Sequence, residues 1–295
     1  MQPTAAGAIG VFDSGYGGLT VLSAIKTLMP QYDYLYLGDN ARAPYGSRSF
    51  DSVYRFTLEA VEWFFSRGCH LVILACNTAS AKALRTIQQR DLPVIDPGRR
   101  VLGVIRPTTE RVAELTRSGH VGVLGTEGTI QSRSYEIEIS KQHPQLTVTG
   151  EACPMWVPLV ENREHDKPGA DYFVRQHLKQ LKAKDPLIDT IILGCTHYPL
   201  LLDKIRHHLP AGTRVLSQGS YVAESLEDYL SRHPEMDAKC TKGGTVRYYT
   251  TDAPDKFNQL ASLFLQEEID ARQIKLEKLC QTGSISPWPF CCSSR

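Results

Sequence analysis

The chain has 295 residues, 42% hydrophobic and 22% charged, and its 33 Lys and Arg oppose 32 Asp and Glu for a formal charge of +1. That length and apolar fraction build one large or two ordinary domains, and the balanced charge leaves no basic field for a phosphate backbone, so nucleic acid is not an expected partner. No apolar run reaches bilayer-spanning length, and the opening "MQPTAAGA" lacks the charged and apolar regions of a secretory leader, so no membrane association and a cytoplasmic location are expected.

In chain order, short aliphatic runs alternate with helical periods. "AIGVFD" reads as a strand and "GGLTVLSAIKTL" as a helix, followed by "YLYLGD", "FTLEAVEWFFSRG", "HLVILAC", "TASAKALRTIQQ" and a strand at "LPVID". Continuous apolar strands between helices predict an α/β fold with parallel sheets covered on both faces. From Arg100 the pattern restarts with "VLGVIRPTTERVAELTRSG", "HVGVLGTEGTIQSRSYEIEIS", "LTVTGEACP", a helix within "ADYFVRQHLKQLKA", and "DTIILGCTHYPLLLDKIRHHL". Aligning the halves sets Asp13 on Gly125, Ser14 on Thr126 and Cys76 on Cys195, with offsets of 112 residues for the first pair and 119 for the cysteines.

Preserved order and near-constant spacing predict an internal duplication: two pseudo-symmetric α/β domains with mainly parallel sheets and a ligand cleft between their strand ends. Residues 1–100 plus 211–295 are expected to form the first domain and residues 101–210 the second. "GTVRYYTTDAPDKFNQLASLFLQEEI" would complete the first domain with one more strand and one more helix. The tail from Gln281, with "SPWPFCCSSR", has no period and is expected to be weakly ordered.

The eight cysteines are Cys69, Cys76, Cys153, Cys195, Cys240, Cys280, Cys291 and Cys292. They show no disulfide framework and no CxxC pair, so thiols are expected and no metal site. Cys76 and Cys195 each fall between a strand and the following helix, where backbone N–H groups and the helix dipole favour thiolate. A lone cysteine there would be read as buried and inert. Two in equivalent positions of facing halves suit a reaction needing two weak acids on opposite faces of a stereocentre, whereas a covalent cysteine enzyme needs one thiol, a base and an oxyanion hole.

Neighbouring stretches supply further polar groups. The glycines of "DSGYGG" permit a tight turn near an anion; Asp13 would be wasted on a phosphate and suits an ammonium or a thiol. "GDNARAPYG" is a loop at a strand end, the usual place for binding residues, with a phenol at Tyr45 and a close backbone N–H at Gly46. Asn77, Thr78 and Thr196 read as helix caps that also point at an anion site. His197 follows Cys195 by two positions with a switchable imidazole, and Glu161 ends the apolar run "VPLV".

"GVFDSGYGGLTVL", "GDNARAPYG", "ACNTASA", "GTEGTIQS", "CPMWVPLVE" and "GCTHYPLL" resemble, in order, the motif set of the cofactor-independent glutamate racemases of the aspartate/glutamate racemase superfamily, and "DAPDKFNQLASLFL" resembles that family's closing helix. The resemblance implies interconversion of L- and D-glutamate without pyridoxal phosphate or metal, supplying D-glutamate for bacterial peptidoglycan and hence cell-wall biogenesis and cell shape. It implies Cys76 and Cys195 as the catalytic acid/base pair, with Asp13 assisting the first thiol, and Glu161 and His197 the second. Asp13, Ser14, Tyr45, Gly46, Asn77, Thr78, Thr126, Thr196 and His197 would contact substrate. It also implies a homodimer, through a face the sequence does not name.

Three other readings stay open at this point: a racemase for aspartate or another amino acid, a hydrolase built on Cys195 and His197, and a binding module for a dicarboxylate. "GCTH" resembles the glutamate branch, since aspartate racemases more often carry an acid after the Thr. The join "LPVIDPGRRVLGVIRPTTE" is longer than the commonest family version. The chain also enters its first strand without the extension that resembles the precursor-sensing segment of some members, so regulation by that precursor is not expected.

Overall fold

A computed structural model describes residues 6–276; the tail from Gln281 and Cys280, Cys291 and Cys292 lie outside the described residues. In chain order the strands are β1 (Ile9–Asp13), β2 (Tyr34–Gly38), β3 (Leu71–Leu74), β4 (Arg100–Gly103), β5 (His120–Gly125), β6 (Thr147–Ala152), β7 (Thr190–Gly194), β8 (Arg214–Leu216), β9 (Val246–Thr250) and β10 (Ala271–Gln273). They make two parallel sheets, ordered β10-β9-β2-β1-β3-β4 and β6-β5-β7-β8. The blocks β2-β1-β3-β4 and β6-β5-β7-β8 share one topology, so the repeat seen in the motifs extends to strand order. Among the described residues no helix is long and apolar enough to cross a membrane.

Every residue of β1, β2, β3 and β7 is buried. Parallel strands bridged by crossover helices have both faces covered, which is why these runs lack polar alternation. The helix Leu19–Leu28 buries Leu19, Val21, Leu22 and Ile25 and packs along the helix Gln218–Arg232. Gly219 permits that approach, since a Cβ there would stand 3.0 Å from Ala24 Cβ. The helix Pro254–Leu265 closes the first sheet, stacking Phe257 on Tyr16 at 5.4 Å between ring centroids. The helix Phe50–Ser66 starts with Ser49 Oγ accepting the Ser52 N–H, an ordinary N-cap.

Two expectations are corrected. "LPVID" is helical from Leu92 to Ile95, where the helical stretch that starts at Leu84 continues through its proline. Val94 is 81% exposed, so this β-branched pair serves no sheet core, and the place beside β3 goes to Arg100–Gly103. The sheets also divide the chain differently from the expected boundaries: β4 ends at Gly103 yet joins the first sheet, and β8 begins at Arg214 yet joins the second. The segment from Gly244 to Ile269 holds the expected strand and helix, and just beyond it β10 adds an edge strand by pairing with β9.

Candidate active site

The strand ends lie level. Asp13 at the end of β1 pairs with Gly38 in the register, and Gly125 at the end of β5 pairs with Gly194 of β7. Residues just past these ends therefore gather in one layer per sheet, and the two layers enclose a cavity of about 330 Å³. Ser14, Cys76 and Thr78 reach it from the first half; Thr126, Cys195 and His197 reach it from the second. Pro44, Pro154, Val157 and Pro158 supply apolar wall, and an apolar wall lowers the local dielectric and so strengthens polar contacts beside it.

Cys76 is 5% exposed and caps the helix Asn77–Lys82, its Sγ accepting the Ala79 N–H at 3.5 Å. The thiol also donates to Ser14 Oγ at 3.4 Å. Burial, with the nearby Asp13 carboxyl second, pushes this thiol up to about 12, and the contacts from Ser14 and Ala79 only partly offset that. The expectation that the junction favours thiolate is thus corrected at Cys76: loss of hydration outweighs the local N–H groups. Asp13 lies behind Ser14, outside the cavity lining, with Oδ2 accepting the Gly15 N–H at 2.9 Å and Oδ1 without a hydrogen-bond partner. Burial raises its carboxyl above the usual range, although the His197 charge and the Gly15 and Gly18 amides pull the other way. Gly18 is required here, since a Cβ would stand 2.5 Å from Asp13 Cβ.

Cys195 follows β7 and lies 3.8 Å, Sγ to Nδ1, from His197, whose Nε2 lies 3.0 Å from Glu161 Oε1. Glu161 comes from the helix Trp156–Glu161, so the three residues form a relay from the cavity to a partly exposed carboxylate. The edge of Phe264 packs on the imidazole at 5.5 Å. Burial alone would lower the His197 value, but hydrogen bonds and charge from Cys195 and Glu161 overcome it and raise it to about 10. A raised folded-state value contributes stability fully present below the imidazole's ordinary 6.5 and lost as pH rises through about 10. The stability gap between the unsubstituted chain and His197→Gln is therefore expected to be widest below 6.5 and to narrow up to about 10. Thermal unfolding of both across that range checks it; two parallel curves would contradict the assignment.

The other expected residues divide. Thr78 Oγ1 and Thr126 Oγ1 meet at 2.9 Å across the halves, and Thr126 caps the next helix through the Thr129 N–H. Gly46 crosses too, its carbonyl accepting the Gly128 N–H at 2.7 Å. A side chain at Gly46 would meet Thr126 Cβ at 2.9 Å, which explains the glycine. Thr196 and His197 pack against Gly17. Tyr45 lines the cavity, but its hydroxyl donates to Asp39. The phenol expected for substrate is instead an anchor, because Asp39 is fully buried and also receives Arg42 and Thr251. Asn77 likewise reaches the wall, yet its carboxamide is taken by Gln218 and Tyr135. Cys153, read as structural, lines the cavity with a fully buried thiol; its place before Pro154 at the end of β6 was the available signal.

Duplicated parallel-sheet halves with a cysteine at each equivalent junction define a class, and the chain belongs to the Asp/Glu/Hydantoin racemase family, whose model matches residues 19–226. Several relatives within that family are named glutamate racemase. It is 41% identical over 272 residues to a glutamate racemase of Ruegeria pomeroyi, spanning 89% of this chain and 98% of that one. Among solved structures, it is similar to a glutamate racemase isoform of Bacillus anthracis, with a TM-score of 0.83, 35% identity and coverage of 92% and 98% of the two chains. It is also similar to the glutamate racemase of Francisella tularensis in complex with D-glutamate, with a TM-score of 0.82, 30% identity and the same coverage.

Proposed function

We propose that the chain is a glutamate racemase working by two facing thiols, a reading supported above all by Cys76 and Cys195 entering one cavity from equivalent junctions of a repeated fold. The relatives named glutamate racemase support glutamate over aspartate. One sulfur, as thiolate, takes the α-proton; the electron pair stays on the α-carbon and spreads into the carboxylate. The opposite thiol gives its proton to the other face and becomes the thiolate, so the reverse reaction swaps the two roles. The α-proton is a very weak acid, so positioned donors must hold the developing charge in a dry site.

The two thiols start in different surroundings. Cys195 faces an imidazole held protonated between sulfur and Glu161, so charge arriving on that sulfur meets an N–H donor. Cys76 is held as the thiol by burial. The substrate's carboxylates and ammonium are assigned to Ser14, Thr78, Thr126 and Thr196, to backbone at Tyr45, Gly46 and Asn77, and to His197, with Asp13 acting from behind Ser14. The reaction asks for no cofactor. In a cell the product would serve peptidoglycan synthesis and cell shape, in the cytoplasm, with the chain as a homodimer whose two domains close on substrate.

Incubation with L-glutamate in deuterated water, free of pyridoxal phosphate, is expected to give racemisation with deuterium at the α-carbon. Exchange with aspartate alone would move the substrate, and no exchange with either would overturn the reading.

A further inference from the structure

Directly behind the two thiol junctions lies a closed ring of hydrogen bonds among three buried side chains. Gln218 Nε2 donates to the Tyr135 hydroxyl at 2.7 Å, and that hydroxyl donates to Asn77 Oδ1 at 2.7 Å. Asn77 Nδ2 closes the ring by donating to Gln218 Oε1 at 2.6 Å. None of the three is more than 3% exposed. Gln218 Nε2 also donates to the Val104 carbonyl at 3.0 Å. Turning both amides over would set Gln218 Oε1 against that carbonyl, so the ring has one orientation.

Each member is tied to a different part of the site. Asn77 follows Cys76 directly and opens its helix. The Tyr135 ring lies on the backbone just before Cys195: a Cβ added to Gly194 would stand 3.2 Å from its Cε2. Val104 follows β4, where the chain leaves the first sheet, and Gln218 opens the helix after β8, where it leaves the second. The ring therefore bridges both thiol-bearing junctions and both crossings between the halves.

Resting on the racemase reading above, we propose that Tyr135 and Gln218 are positioning residues that fix the spacing between the Cys76 and Cys195 thiols. Neither lines the cavity, and both act through Asn77 and Gly194. Two-sided proton transfer needs both sulfurs in place at once, whereas removal and return of a proton on one face needs one. A loosened spacing slows delivery from the opposite thiol more than it slows removal. The intermediate then lives longer, and the abstracted proton has time to exchange with solvent and return to the face it left.

The test follows L-glutamate in deuterated water and measures the ratio of α-deuterium in unreacted L-glutamate to D-glutamate formed. Tyr135→Phe and Gln218→Met are expected to raise that ratio by about tenfold or more while kcat falls, since a misplacement of about 1 Å can cost about 10²-fold. Ile139→Val, on the same helix Ser134–Gln142 but outside the ring, controls for lost packing and should leave the ratio unchanged. Lower kcat with an unchanged ratio in both folded ring variants would overturn the positioning role and leave the racemase intact. No racemisation by the unsubstituted chain would overturn both.

Discussion

Cys76→Ser and Cys195→Ser are each expected to lower racemisation of glutamate by roughly 10²–10⁴-fold, the usual weight of one acid/base group. Serine is the nearest side chain in shape that still donates and accepts a hydrogen bond, so the loss reports mainly the proton chemistry rather than packing. A hydroxyl is a far weaker acid than a thiol, and neither the His197 relay nor the Ala79 N–H can make up that difference. Because free L- and D-glutamate are equally stable, kcat/KM must fall equally in both directions whichever sulfur is replaced. The two variants differ elsewhere. Each retains one thiol, and each is expected to exchange the α-proton of only the enantiomer that presents it to that sulfur. Measuring exchange on both enantiomers with both variants assigns each cysteine to a face; normal racemisation by either one would end the two-thiol reading.

Gly17→Ala is expected to cost about 1–3 kcal/mol of stability and about 10²-fold in kcat/KM. A Cβ at this position would stand 2.2 Å from Thr196 Oγ1 and 2.5 Å from His197 Nδ1, the nitrogen that faces Cys195. Thr20 fixes the same approach by donating to the Gly17 carbonyl at 2.8 Å and lying 3.2 Å from the Thr196 carbonyl. With both sides held, either the imidazole or the turn must move. The loss should fall on kcat more than on KM, because the displaced imidazole faces the Cys195 sulfur that exchanges the proton. Thermal unfolding and steady-state kinetics decide the matter, and full activity at an unchanged melting temperature would show that the turn yields freely.

The reading of the sequence succeeded where information was local. Buried runs such as "LVIL" and "TIILG" announce covered parallel strands, and cysteines one or two residues beyond them announce the site layer. It failed where neighbouring residues gave the wrong weight. Val94 and Ile95 favour a strand by type, yet the preceding helical stretch carries through them. Tyr45 and Asn77 reach the cavity as expected, but what their polar atoms do is set by Asp39 six residues away and by Gln218 at a separation of 141. Gln218 was invisible for that reason: no period or motif marks it, and its importance exists only once β4, β8 and the cysteine junctions meet.

The strand order also carries a consequence for the way this chain is made. The second sheet draws β5 to β8 from one uninterrupted stretch, His120 to Leu216. The first sheet must wait for β9 to pair along β2, so Tyr34 to Gly38 present an open edge until residues from Val246 onward leave the ribosome. Unpaired edges invite other chains, and pairings so far apart in sequence form slowly. The half encoded second is thus the one equipped to close first, and the nascent N-terminal half is the one a chaperone would hold.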